Sequence, residues 1–197
     1  MTIELVKKII NQYLPIYFKE ESSNFKKTLG LLLVDDMAEF LQQELLEDIW
    51  GQIEQIMIKY SSHKNYEVRK TACYGLGVFS QFTKKNFTNY GQDIIKAVSN
   101  VIKEPIDKKL NKNDRENLKF ARDNAVSALG KIIQYHGQEY LTELDNLIDF
   151  WVNSYPITQD KEEGKICNKF LLEILMKEPS KVIGPGNKNL GQIIQGI

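Results

Sequence analysis

The chain has 197 residues, of which 42% are apolar and 26% charged, a composition typical of a globular protein with a buried core. Basic and acidic residues number 26 each, so the formal net charge is zero and no basic excess indicates nucleic-acid binding. No apolar run approaches the roughly 18 residues that span a bilayer. We therefore expect neither nucleic acid nor membrane as a direct partner.

The N-terminal half shows the spacing of amphipathic helices. A first apolar stripe runs from Leu5 to Tyr17, and serines at 22 and 23 then provide N-cap chemistry. A second helix is predicted over about 25–41, and a third over about 45–60. The apolar side chains predicted to face inward on the second helix are Leu29, Leu32, Leu33, Met37 and Phe40.

Helical periodicity continues through the C-terminal half. Helices are predicted over about 66–83, 90–102, 118–135, 141–154 and 161–177, and the tail LGQIIQGI begins another. The charged, Asn-rich segment 104–117 is predicted to be an extended loop or a frayed helical extension. The sequence GPGN at 184–187 predicts a turn between helices. The pattern throughout is helix, short connection, helix.

One helix motif recurs along the chain. When EVRKTACYGLGVFSQF (67–82) is aligned with FARDNAVSALGKIIQY (120–135), Arg69 matches Arg122 and Gly77 matches Gly130. Fainter copies begin near residues 25 and 160. The basic markers at 27, 69 and 122 lie 42 and then 53 residues apart, and the longer interval contains the 104–117 segment. A helical hairpin that recurs every 40-odd residues is typical of HEAT and armadillo repeats.

The sequence therefore predicts an all-α fold, a right-handed α-α superhelix of HEAT/armadillo-like type with about four helical hairpins. We predict a single array over 1–197, with approximate repeats at 1–41, 42–86, 87–137 and 138–180 and a partial repeat at 181–197. Small residues in the motif allow close helix packing. Arg69 and Arg122 lie near the start of their helices, where the helix dipole does not favour a cation, so we predict that they form structural bonds between repeats.

Four strings of the chain, taken in order, resemble one branch of the HEAT-repeat proteins. They are VRKTACYGLGVFSQF, ARDNAVSALGKII, LIDFWVNSYPITQDKEEGK and VIGPGNKNL. They are similar to the C-terminal part of importin beta-3 type receptors of the importin-β (karyopherin-β) superfamily. The similarity covers about residues 27–195. The departures from the family are the 104–117 segment and Gly164, where the family tends to have alanine.

The resemblance implies a fragment of a longer nuclear transport receptor. Such receptors bind protein cargo non-covalently, respond to Ran GTPase and shuttle between cytoplasm and nucleus. The implied partners are cargo proteins with basic localisation signals and Ran, with nucleoporins as further candidates. The alternative within the same fold is a HEAT-repeat scaffold or adaptor, such as a phosphatase regulatory subunit. A small helical enzyme is the alternative from another class.

The sequence contains two acidic clusters. Asp35, Asp36 and Glu39 on the second predicted helix form either a solvated helix face or, as the resemblance implies, part of an acidic concave face that binds basic cargo. Asp160 and the glutamates at 162 and 163 open a helix, where capping and the helix dipole explain acidic residues without any partner.

Residues typical of catalysis are sparse. His63 and His136 fall at predicted helix ends, where capping or solvent exposure explains them. The chain has no HExxH, CxxC or EF-hand string, so we predict no enzyme activity, no metal site and no cofactor. Trp50 and Trp151 lie within apolar stripes and are predicted to pack in the core. The two cysteines are predicted to be free thiols in a reducing compartment.

Overall fold

A computed structural model describes residues 3–40, 50–82, 87–140 and 143–196. Within these residues the chain is helical and contains no β-strand. A π-helical turn (Ile9–Tyr13) separates the first two helices and a 3-10 turn (Pro185–Asn187) precedes the last. The helices are α1 (Ile3–Lys8), α2 (Leu14–Tyr17), α3 (Asn24–Phe40), α4 (Trp50–Tyr60), α5 (Tyr66–Phe82), α6 (Phe87–Lys103), α7 (Lys112–Tyr140), α8 (Leu144–Asn153), α9 (Lys161–Lys177), α10 (Pro179–Ile183) and α11 (Leu190–Gly196).

The longer helices lie in two layers. One layer is formed by the second helix of each hairpin, and we call it the second-helix layer. It contains α3, α5, α7 and α9, and each of these helices packs against the next. The first-helix layer contains α4, α6 and α8; α4 packs on α5 and on α6, and α6 and α8 both pack on α7. Successive hairpins therefore stack side by side, which is the architecture of a HEAT/armadillo-like solenoid. The predicted all-α solenoid is confirmed, whereas the exact repeat boundaries stay a prediction.

Each helix of the second-helix layer begins at a side-chain cap. The oxygens of Ser23, Asn65, Asn111 and Asp160 accept hydrogen bonds from the backbone N–H three residues further on, at 2.9–3.3 Å. These bonds satisfy N–H groups that a helix start leaves without an intrahelical partner. The cap at Asn111 starts α7 inside the 104–117 segment, so only residues 104–111 form a loop and the remainder is helix.

Small residues set the distance between α5 and α7. A Cβ atom built on Gly77 would lie 3.2 Å from the Cα of Ala128, so the backbones of the two helices approach each other closely at this point. A Cβ on Gly130 would lie 2.8 Å from the indole nitrogen of Trp151, which itself donates to the Val126 carbonyl at 3.0 Å. Only glycine fits at position 130 without moving this buried ring. The predicted core packing of Trp151 is confirmed, and the Trp50 side chain lies outside the described residues.

The apolar side chains form one continuous core from Val6 on α1 to Ile193 on α11. Both cysteines lie inside it as free thiols, as predicted. Burial raises the pKa of Cys73 to about 12 and that of Cys167 to about 11. Neither thiol is therefore a reactive thiolate at neutral pH. None of the helices in the described part of the chain is long and apolar enough to cross a membrane.

Candidate protein-binding face

The second-helix layer has an outer face that the first-helix layer does not cover. On α3 this face carries four large apolar side chains with high exposure: Phe25 (76%), Leu29 (43%), Leu32 (45%) and Phe40 (75%). Asp36 lies in the same row and Glu39 beside it, and both are exposed. We call these six residues the α3 stripe. The opposite side of α3 is buried against its neighbours.

The prediction for the inward side of α3 was therefore wrong at three positions. Leu29, Leu32 and Phe40 face outward, and the buried residues of the helix centre on Leu31, Val34 and Ala38, with Met37. The sequence of α3 places apolar residues on several sides of the helix. The spacing of these residues alone is therefore compatible with more than one buried side. The packing of α5 and α2 against the helix selects the buried side.

Asp35 does not share the exposed face with Asp36 and Glu39. It is 2% exposed, and its carboxylate lies so close to Gly75 of α5 that a Cβ there would clash with it. Neither oxygen has a hydrogen-bond partner among the residues that the structure describes. Burial raises the pKa of Asp35 well above its usual range, and the neighbouring charges of Asp36 and Glu39 act in the same direction. The predicted three-residue acidic face thus reduces to Asp36 and Glu39.

A shallow groove continues the outer face from Leu32 across α5 to α7. Its volume is about 210 Å³, and its aromatic walls are Tyr74 and Phe120. Burial raises the pKa of Tyr74 to about 12, and nearby carboxylates, Glu39 first among them, contribute. Lys70 lies over the Phe120 ring, at 5.4 Å from its centroid. The groove therefore combines aromatic surface with one basic and one acidic side chain, Lys70 and Asp160.

Arg69 joins two elements that are distant in sequence. Its guanidinium pairs with Glu104, which follows α6, and its Nε donates to the His63 carbonyl at 3.1 Å. The guanidinium carbon also lies 4.9 Å from the Tyr66 ring centroid. Arg69 thus connects α5 to the next hairpin. How much this contact stabilises the array stays a prediction.

Arg122, the matching residue in the repeat alignment, has no such contact. It is half-buried and forms no hydrogen bond or ion pair in the part of the chain that the structure describes. Its neighbours carry the connections instead. Asp123 accepts hydrogen bonds from the backbone N–H groups of residues 158, 159 and 160 within 3.2 Å, and Asn124 donates to the Lys70 carbonyl at 3.1 Å.

A buried ion pair between α7 and α9 was not predicted. Lys131 Nζ lies 2.8 Å from Glu163 Oε2, both side chains are 7% exposed, and Ser127 donates to the same carboxylate. From the sequence, Glu163 was assigned to the helix dipole together with Glu162, but only Glu162 is exposed. A signal was present: Lys131 follows Gly130 within an otherwise apolar run, where a lone lysine needs a partner.

The two histidines differ in environment. The ring of His63 accepts a hydrogen bond from the Asn65 N–H at 3.1 Å and lies near the helix start, close to the capping role that was predicted. His136 was expected at an exposed helix end, but α7 continues past it to Tyr140. The ring is 1% exposed and contacts the Ser80 carbonyl of α5. His136 therefore belongs to the packed contact between α5 and α7.

No group of three or more His, Cys, Asp or Glu residues is placed to hold a metal ion within the described ranges. The exposed surface of α3 combines the four apolar side chains of the α3 stripe with Asp36 and Glu39 as its acids.

Comparison with known proteins agrees with this architecture. A HEAT-repeat family model matches residues 53–83, which include most of α4 and all of α5. A curated protein of Dictyostelium discoideum, described as a probable importin-5 homolog, is 27% identical over 140 residues. That alignment covers 71% of this chain and 13% of the relative, so the chain matches only a small part of its length.

A solved structure was also found to be similar. It is the crystal structure of an engineered protein, 13% identical in sequence, with a TM-score of 0.41. The match covers 100% of this chain and 79% of the engineered one. At this TM-score the similarity carries no argument about function. The similarity to an importin rests on the Dictyostelium relative, whereas the family model shows a HEAT repeat over 53–83. The importin beta-3 type stays a prediction.

Proposed function

We propose that this chain is a segment of a nuclear transport receptor of the importin type, which binds protein cargo non-covalently and releases it in response to Ran·GTP. The observation that carries the proposal is the 27% identity to a probable importin-5 homolog over 140 residues. That alignment is longer than any one helical hairpin of the array. It therefore includes more of the chain than the single hairpin matched by the HEAT model.

The proposed mechanism is binding without catalysis. Stacked hairpins share one core, and small changes at each contact add up along the array, so a solenoid can adapt its shape to a large partner. The outer face of the second-helix layer would receive cargo. Asp36 and Glu39 would attract basic localisation signals, and the apolar members of the α3 stripe would add contact area. The protein would then shuttle between cytoplasm and nucleus, with nucleoporins as further partners.

The test is nucleotide-dependent release of bound proteins. The tagged protein is captured from its source cells and washed with Ran loaded with either a non-hydrolysable GTP analogue or GDP. We expect the GTP form to release bound proteins and the GDP form to leave them in place. Equal release by both forms would contradict the transport proposal and favour the alternative of a HEAT-repeat scaffold or adaptor.

A second experiment tests the acidic face directly. A fluorescent lysine-rich localisation peptide is titrated with the chain, and binding is followed by anisotropy. The double change Asp36→Lys with Glu39→Lys should weaken binding by about tenfold, because it reverses two charges next to the peptide. Asp93→Lys on α6, an exposed acid in the other layer, is the matched control and should have little effect. An equal loss of peptide affinity in both variants would contradict the proposal that Asp36 and Glu39 bind the peptide.

A further inference from the structure

The α3 stripe has the shape of a binding site for a helix. Phe25, Leu29, Leu32, Asp36 and Phe40 follow one another at spacings of three or four residues and therefore lie in one row along α3. At 1.5 Å per residue the row is about 22 Å long, which is about four helical turns. Scattered exposed apolar residues are ordinary on protein surfaces, but four large apolar side chains in one row, with Asp36 among them, form a patch of the kind that interaction sites use.

The groove beside the α3 stripe favours a partner whose backbone hydrogen bonds are all formed within the partner itself. In an extended peptide every backbone N–H and C=O needs an external partner. The groove runs between helices, whose backbone groups are bonded within each helix, so it presents no row of free backbone groups to an extended peptide. Two of its side chains are also engaged, since the Asn124 amide donates to the Lys70 carbonyl and the Thr71 hydroxyl donates to the Glu67 carbonyl. A helical partner needs no such external groups, because its hydrogen bonds are internal.

The charges of the stripe define the polar side of that partner. Asp36 and Glu39 are exposed, and neither forms an ion pair with a lysine or arginine in the described part of the chain. Asp36 lies within the row and Glu39 lies beside it, so a lysine or arginine at the edge of the apolar row of a bound helix would reach both carboxylates. Charge complementarity of this kind speeds encounter and selects the partner.

We propose that the α3 stripe binds an amphipathic helix of a partner protein, about four turns long, whose apolar row is flanked by lysine or arginine. The large side chain nearest Leu32 enters the groove between Tyr74 and Phe120. This mode of recognition places regularly spaced apolar anchors against a preformed hydrophobic surface. The inference rests on the proposed function only because both use the outer face of the second-helix layer.

The test uses three synthetic probes of about 18 residues, the length needed to cover the stripe with one spare turn. The first is a leucine–lysine peptide with leucines in one helical row, the second has the same composition in scrambled order, and the third replaces lysine with glutamate. Binding to the full chain is measured by anisotropy. We expect micromolar binding of the first peptide and at least about tenfold weaker binding of the other two.

Variants then locate the contact. Leu29→Ser and Leu32→Ser should each weaken binding of the first peptide about tenfold, whereas Met176→Ser on α9 should leave it unchanged, although Met176 is 85% exposed. Asp36→Lys should weaken binding of the lysine peptide and strengthen binding of the glutamate peptide. Urea midpoints confirm that these exposed substitutions leave the fold intact.

Equal binding of the ordered and scrambled peptides would overturn the proposal, as would equal losses from Leu32→Ser and Met176→Ser. The outcome is separable from the transport proposal. Helix binding without Ran-dependent release keeps the α3 stripe as a site and removes transport. Ran-dependent release without helix binding keeps transport and rejects this form of partner.

Discussion

Two helix contacts within the second-helix layer bury carboxylates, and they differ in the hydrogen-bond partners that these carboxylates have. Between α7 and α9, Glu163 pairs with Lys131 and accepts from Ser127, while Asp123 accepts three backbone N–H groups from the segment that leads into α9. Between α3 and α5, Asp35 is also buried, but its carboxylate has no hydrogen-bond partner within the described ranges. The same helix-on-helix packing thus contains one satisfied polar contact and one unsatisfied one.

The difference has a consequence for stability. A buried ion pair with further hydrogen bonds holds its helices in one register, because any shift leaves a charge without a partner. A buried carboxylate without a partner weakens the contact that contains it, since its ionised form is strongly disfavoured there. We therefore expect α3 to separate from α5 more readily than α9 from α7.

The largest expected effect comes from breaking the ion pair. Lys131→Met should destabilise the chain by about 3–5 kcal/mol, because it leaves Glu163 buried without its counter-charge. The double variant Lys131→Met with Glu163→Leu should recover most of the loss, since no uncompensated charge remains. Urea unfolding measures both. A single variant as stable as the double variant would show that Glu163 does not need the lysine.

The next largest loss of stability is expected at Asp123, whose carboxylate accepts three backbone N–H groups. Asp123→Ala should cost about 2–3 kcal/mol, because buried N–H donors would lose their acceptor. Asp123→Asn keeps one oxygen acceptor and should cost less. Asp145→Ala, an exposed acid on α8, serves as the control in the same urea experiment. If the alanine variant at 123 is no less stable than this control, the connection between α7 and α9 does not depend on Asp123.

Arg69 and Arg122 occupy matching positions in the repeat alignment, but only Arg69 forms bonds with the described residues of another hairpin. We therefore expect different losses of stability when each arginine is removed. Arg69→Ala should destabilise by about 1–2 kcal/mol through loss of Glu104 and the His63 carbonyl as partners. Arg122→Ala should change stability by less than about 0.5 kcal/mol, as expected at a position without bonds. Urea midpoints of the two variants test this directly. Equal losses would restore the repeated arginine role that the sequence predicts.

The smallest effect is a pH dependence at Asp35. The pKa of this group is raised in the folded state, so its stabilising protonation is complete below the unfolded pKa of about 4 and is lost as pH rises through the folded pKa. Asp35→Asn cannot ionise and should therefore be more stable than the parent chain by about 1 kcal/mol at about pH 8, with a smaller difference at about pH 5.

Thermal melting at both pH values measures this difference. Asp93→Asn, at an exposed acid on α6 that does not act on Asp35, is the matched control for the loss of one carboxylate. A gain from Asp35→Asn that is the same at both pH values would mean that ionisation of Asp35 is not the cause.

Much of the fold was predictable because helix caps and apolar spacing are local signals. The prediction for α9 matches Lys161–Lys177 at both ends, and that for α5 ends within one residue of Phe82. The length of α7 was missed at both ends. Its cap at Asn111 lies in a charged segment with few apolar residues, and its continuation past His136 depends on burial of that ring against α5.

The candidate site was less predictable than the fold. Asp36 and Glu39 were placed on an exposed face correctly, but Asp35 was grouped with them because adjacent acids look alike in a sequence. A helix turns by about 100° per residue, so neighbours can lie on different sides. Which side of α3 is buried depends on where α5 and α2 pack.

The sequence by itself determined the helical class, the recurring hairpin, the resemblance to importin-type receptors and most helix starts, because caps and periodicity act within a few residues. Only the tertiary structure decided which carboxylates are buried, that Lys131 pairs with Glu163, and that the α3 stripe faces outward. These features join residues from separate hairpins. Their contacts depend on how α3, α5, α7 and α9 stack, and no local pattern records that arrangement.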